Sequence, residues 1–199
     1  MLKDFIRKFL VTALLAASLV SPVFAAVDYQ VENQPCVIEK VVQFEQKGIL
    51  KQKDNGYLYV EVSNDFIAET LPLIVAQGKL VPPRHFASKK GIGAHISVIY
   101  ENELIQNEIW EIAELGQEFT FSVMELRTVK LTRDNKMKKL WLIAVAAPGL
   151  EKLREKYGLS SRLKGHDFHI TICTQIPGMP QFKLLESGFE EIEELEEAA

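Results

Sequence analysis

Apolar positions recur along the chain with two periods, and each period predicts an element. "GYLYVEVS" sets Leu58, Val60 and Val62 against Tyr57, Tyr59 and Glu61, the alternation of a half-buried strand. In "DFIAETLPLIVAQGK", preceded by the cap residues Ser63 and Asn64, Phe66, Ile67, Leu71, Ile74 and Val75 fall near helical spacing. They predict a helix that Pro72 kinks or shortens and that ends near Gly78. A loop, "LVPPRHFASKKGIG", leads to the strand "AHISVIY", and a helix is expected over 103–115. "FTFSVMELRTVKL" and "LWLIAVAAP", joined by the polar turn "TRDNKMKK", read as a hairpin. Pro148 opens a helix that Gly158 stops, and "LSSRLKGHDFHITICTQ" carries the last strand. A polar, loose segment is expected around Gln30 to Gln34, and "GFEEIEELEEAA" reads as an acidic helix or frayed tail.

The order of elements repeats. A strand, a helix and a His-Ile-Ser-Val strand are followed by a strand, a helix and a His-Ile-Thr-Ile strand, a loose internal duplication. Strand side chains at i and i+2 share a face, so His95 projects with Ser97 and His169 with Thr171, opposite Ile96 and Ile170. Imidazole titrates near neutrality, so one neutral and one protonated histidine can serve as general base and general acid across a phosphodiester. The two hydroxyls can donate to phosphoryl oxygens whose charge rises. No metal or other cofactor is needed, and the sequence leaves open which histidine takes which role.

The pair "HISV" and "HITI" resembles the signature of the two-histidine (2H) phosphoesterases, and the resemblance spans about Gly56 to Gln175. It implies an α+β fold, bilobal and pseudo-twofold, with two antiparallel sheets around a central groove, helices on the outer faces and both histidine strands on the groove floor. It also implies cleavage of a small nucleotide phosphodiester, 2',3'-cyclic or 2',5'-linked, with His95, Ser97, His169 and Thr171 as the catalytic set. A non-catalytic nucleotide-binding or interaction module on the same fold is the alternative.

Further residues are candidates of a weaker kind. Arg84, His85, Lys89 and Lys90 precede the first motif, and Arg162, Lys164 and His166 precede the second. Their cations suit substrate phosphates at a groove mouth, with ordinary solvated charge as the plainer alternative. Tyr57, Tyr59 and Trp141 suit base stacking, and Tyr59 is preferred because it lies mid-strand on the face opposite Leu58 and Val60. Cys173 continues the face of His169 and Thr171. A zinc hydrolase is disfavoured: no His-Glu-x-x-His or Cys-x-x-Cys occurs, and His166 and His169 are poorly spaced on a strand for one ion.

The start of the chain changes the compartment. Lys3, Arg7 and Lys8, an apolar run from Phe9 to Val20, Pro22 and a small-residue site at Ala25 or Ala26 predict a signal peptide over 1–25. An uncleaved anchor is the alternative, and the short apolar run weighs against it. The expected division is then an N-terminal segment over 26–55, the motif-bearing domain over 56–185 and an acidic tail over 186–199. The expected location is periplasmic or secreted, as a monomer with no stable membrane association. Removing Lys3, Asp4, Arg7 and Lys8 takes the formal charge from −4 to about −6. That balance disfavours long nucleic acid, an RNA ligase's partner included, and leaves a small nucleotide or short oligonucleotide. Export also permits Cys36 and Cys173 to pair.

Overall fold

β-Branched residues dominate both histidine segments, and both form strands, His95–Ile99 (β5) and Phe168–Ile176 (β9). The other strands, numbered in chain order, are Tyr29–Val31 (β1), Lys47–Gln52 (β2), Leu58–Glu61 (β3), Lys79–Val81 (β4), Glu118–Thr120 (β6), Ser122–Arg133 (β7) and Lys136–Ala146 (β8). The structure, a computed structural model, describes residues 29–133 and 136–178. Its strands pair antiparallel in the order β1-β7-β8-β9-β5-β3-β2-β6, with β4 beside β9. The α+β class stands. The two sheets expected from the resemblance are instead one hydrogen-bonded sheet, whose halves join where Ile96 of β5 pairs Ile170 of β9.

Helices Pro35–Val41 (α1), Asp65–Ala68 (α2), Arg84–Ala87 (α3), Glu101–Gln106 (α4) and Pro148–Lys156 (α5) complete the fold. Val37 and Val41 of α1, Phe66 and Ile67 of α2, and Leu150 and Leu153 of α5 share one core with Ile96, Val98, Ile170 and Ile172. Each such side chain contributes about 1.5–3 kcal/mol on burial. That face of the motif strands is covered, and His95, Ser97, His169 and Thr171 emerge, partly exposed, on the other.

Two expected helices are shorter than their periodicity suggested. The helix from Asp65 stops at Ala68, and Pro72 belongs to a separate 3-10 turn over Leu71–Leu73, because its ring cannot continue an α-helix behind it. Val75, assigned to the apolar stripe, is 79% exposed. The helix expected over 103–115 runs instead over Glu101–Gln106: Glu108 adopts φ 54°, Ile109 donates to the Leu104 carbonyl at 2.9 Å, and this C-cap ends it. The segment expected to be loose is tied down. Tyr29–Val31 pairs with β7, and the Gln34 amide exchanges two 2.9 Å hydrogen bonds with the Val75 backbone. The expected signal peptide, the acidic tail and Asp134 and Asn135 of the hairpin turn lie outside the described residues.

Each motif strand bulges directly after its hydroxyl residue. The β3–β5 register passes from Tyr59–Ser97 to Leu58–Ile99 and skips Val98; the β8–β9 register passes from Leu142–Thr171 to Trp141–Cys173 and skips Ile172. A bulge reverses the alternation beyond it, so Ile99 and Cys173 turn into the core. The expectation that Cys173 stays on the histidine face is corrected by this reversal. The Val98 carbonyl accepts from Arg154 Nη1 at 2.6 Å, and that fully buried guanidinium also donates to Glu103 Oε1 at 2.7 Å and to the Ser160 carbonyl at 2.8 Å. A buried cation is tolerated here because its donors are matched by an anion and carbonyls.

Candidate functional site

Because β5 and β9 run antiparallel with Ile96 opposite Ile170, His95 lies across from Thr171 and Ser97 across from His169. The duplicated motif therefore closes into a crosswise square of two imidazoles and two hydroxyls. His95 Nδ1 lies 2.9 Å from the Gly93 carbonyl, and His169 Nδ1 lies 3.2 Å from the Asp167 carbonyl. A carbonyl can only accept, so each Nδ1 carries the proton and each Nε2 is left for chemistry. Gly93 has φ 70°, and a Cβ there would fall 2.5 Å from Asn64 Oδ1, the atom that holds the Ala94 N–H at 2.9 Å. Only glycine fits that entrance to β5 without displacement.

The two imidazoles have different neighbours. His95 meets the edges or faces of His85 at a centroid distance of 4.4 Å, Tyr59 at 5.8 Å and Tyr57 at 6.1 Å. Next to His169 stands Asp167, bonded to Arg127 Nη1 at 2.8 Å and to Arg162 Nη1 at 3.0 Å, and Arg127 also meets Glu125 at 2.7 Å. Burial pulls both histidines below the ordinary imidazole value; the two backbone carbonyls oppose this, while nearby Lys53 and His169 add to it at His95, as His166 and Arg127 do at His169. His85 is pulled down to about 4, by burial first and by His95 and Lys53 after it.

The hydroxyls differ as well. Ser97 Oγ lies 2.5 Å from Tyr57 Oη, and the Tyr57 ring stacks between Tyr59 at 5.7 Å and Tyr100 at 5.8 Å. Thr171 instead neighbours Leu142 across the β8–β9 ladder. A cavity of about 40 Å³, room for a water or one phosphoryl oxygen, opens beside Ser97 and His169 and is lined also by Tyr100, Lys164, His166 and Asp167. The Lys164 ammonium sits over the Tyr100 ring at 4.5 Å.

Of the weaker candidates, Lys164 reaches this cavity, while Arg84, Lys89 and Lys90 are exposed and it is His85, next to Arg84 in α3, that packs on His95. Tyr59 joins the site but is only 7% exposed, so it forms a wall of His95 more than an open stacking face. Trp141 lies on the opposite side of the sheet, 2% exposed, with Nε1 donating to Gln175 Oε1 at 2.9 Å. Cys36 is exposed and Cys173 buried, both thiols are free, and burial pushes Cys173 up to about 12, which leaves it a protonated core residue. Among the described residues no group of three or more His, Cys, Asp or Glu side chains is gathered as a metal site.

Sequence reasoning missed Tyr100, Asp167, Arg127 and Lys53. A signal existed for Asp167, which stands at the i−2 position whose carbonyl fixes a strand histidine; none existed for Arg127, brought in across the hairpin.

Residues 58–178 match the Swiss Army Knife (SAK) type of 2H phosphoesterase domain. Neither a curated protein nor a solved structure matches the chain.

Proposed function

Because the chain belongs to the 2H phosphoesterase family, we propose that it is an exported phosphodiesterase that cleaves a small nucleotide phosphodiester, 2',3'-cyclic or 2',5'-linked, with His95 and His169 as its acid and base. The observation that carries this reading is the crosswise square: each imidazole faces the other strand's hydroxyl, with Nδ1 committed to a backbone carbonyl. One Nε2 takes a proton from water as that oxygen attacks phosphorus in line. The other, protonated, gives its proton to the departing ribose oxygen as the P–O bond breaks. Ser97 and Thr171 donate to the non-bridging oxygens, where negative charge grows. In this reading the halves of the sheet act as two lobes, and the substrate lies in the groove over the β5–β9 seam. Lys164, and more distantly Arg84, Lys89 and Lys90, supply cations to its phosphates, and Tyr59 supports the ring of His95.

A panel of 2',3'-cyclic mononucleotides, 2',5'-linked oligoadenylates and bis(4-nitrophenyl) phosphate tests it. Turnover of at least one is expected, falling by about 10³-fold in His95→Ala and in His169→Ala with nucleotide binding retained. Nucleotide binding without turnover of any member by the wild-type protein would establish the binding module instead. Amino-terminal sequencing of the mature protein, expected to begin near Ala26, tests export.

A further inference from the structure

We propose that Tyr57 is a positioning residue, which donates its phenolic hydrogen to Ser97 and so keeps the Ser97 hydrogen free for a phosphoryl oxygen beside His169. The inference rests on the proposed phosphodiester chemistry and goes beyond it, because Tyr57 lies outside both His-x-Ser/Thr motifs.

A serine hydroxyl has one hydrogen and two lone pairs, so its usefulness as a donor depends on where that hydrogen is committed. The 2.5 Å contact between Tyr57 Oη and Ser97 Oγ allows two directions. A phenol is a far stronger acid than an alkanol and a weaker acceptor, so the favoured direction runs from Tyr57 to Ser97. Burial raises Tyr57 further above its ordinary value, which keeps it a donor at every working pH. Tyr100 stacks on the Tyr57 ring at 5.8 Å and holds it in place. With Tyr57 on its acceptor side, Ser97 has its hydrogen left for the small cavity that it lines with His169 and Lys164.

The arrangement depends on the bulge in β5. Skipping Val98 brings Tyr100, rather than Ile99, abreast of Tyr57, and Arg154 holds the skipped carbonyl at 2.6 Å. The corresponding bulge at Ile172 brings Thr174 opposite Leu140, so the place held by Tyr57 in the first half is held by a leucine in the second. Among the described residues only Ser97, of the two motif hydroxyls, is supported in this way.

Tyr57→Phe keeps the stacked ring and removes only the oxygen. With the best substrate of the panel, kcat is expected to fall about tenfold with KM little changed, since the donor matters most as charge develops. In a Ser97→Ala background the same change should have no further effect, whereas in Thr171→Val it should again cost about tenfold. An unchanged or increased kcat in Tyr57→Phe overturns the inference, because it means that Ser97 had been donating to the phenol. An equal loss in the Ser97→Ala background also overturns it, and assigns Tyr57 to ring packing. Inorganic phosphate titrated by calorimetry gives a readout independent of turnover: Tyr57→Phe should weaken binding only where Ser97 is present. If no phosphodiester is turned over but phosphate shows this coupling, the function reading fails and the positioning role stands; if neither is seen, both fail.

Discussion

Around His95 the neighbours are rings and a glycine carbonyl, with Lys53 nearby; around His169 they are Asp167, two arginines and His166. The strands are alike in sequence, in their bulges and in the hydrogen bond that fixes each Nδ1. The two strands therefore share the backbone device that aims the imidazoles and differ in their environments. In the proposed mechanism the pair acts as opposites, one giving a proton while the other takes one, and unlike surroundings would move two equivalent groups separately. Burial lowers both, so the bell-shaped pH dependence of kcat/KM is expected to peak below the ordinary imidazole value of about 6.5.

The largest expected contrast lies in how the two carbonyls are held. Gly93→Ala forces a Cβ toward Asn64 Oδ1 at a position with φ 70°, so the carbonyl that aims His95 must shift. Displacement of a reacting group by about 1 Å can cost about 100-fold in rate, and that loss in kcat is the expected outcome, with Asn64→Ala restoring part of it by relieving the contact. Asp167→Asn keeps its carbonyl and loses only the ionic anchor, so about a tenfold loss is expected. Equal losses in the two variants would break the comparison.

The pH profile of Asp167→Asn sharpens it. The carboxylate raises His169 while Arg127 lowers it, so removing the anion alone must move His169 down and leave His95 nearly in place. One limb of the bell should move to lower pH and the other should stay. If the alkaline limb moves, His169 is the acid; if the acidic limb moves, it is the base. A rigid shift of both limbs would show that the two histidines titrate as a coupled pair.

How much of this could be read in advance depended on which residues carried the structural signal. The motif strands were legible because alternation and β-branching agree there. The helix from Pro148 was legible because Gly158, at φ 73°, supplies the expected stop. The same kind of C-cap ends α4 at Glu108, a residue with no such preference, and that boundary was not legible. Pro72 was seen, yet the apolar spacing on either side of it outweighed the break it imposes. At the site, the face of each motif residue followed from its parity, but parity fails beyond a bulge, which misplaced Cys173. The meeting of Tyr57 with Tyr100 depends on such a bulge too, as the packing of His85 on His95 depends on the short α3; neither has a local sequence signature.

The smallest expected effect concerns stability more than rate, and it tests whether His85 stays a neutral ring beside His95. His85 has a folded value of about 4, and His95 and His169 are lowered as well, so the unfolded chain binds more protons than the folded one as pH falls below about 6.5. Stability from keeping these groups neutral is present in full above that value and, for His85, is lost as pH falls through about 4. His85→Phe preserves an aromatic partner for His95 and deletes one of the three protons. Thermal unfolding followed between pH 8 and 4 should show a shallower acid slope, smaller by up to about one proton, with little change at pH 8. An unaltered slope would mean that His85 takes up its proton while the chain is still folded, adding a second cation to Lys53 beside His95 in acid.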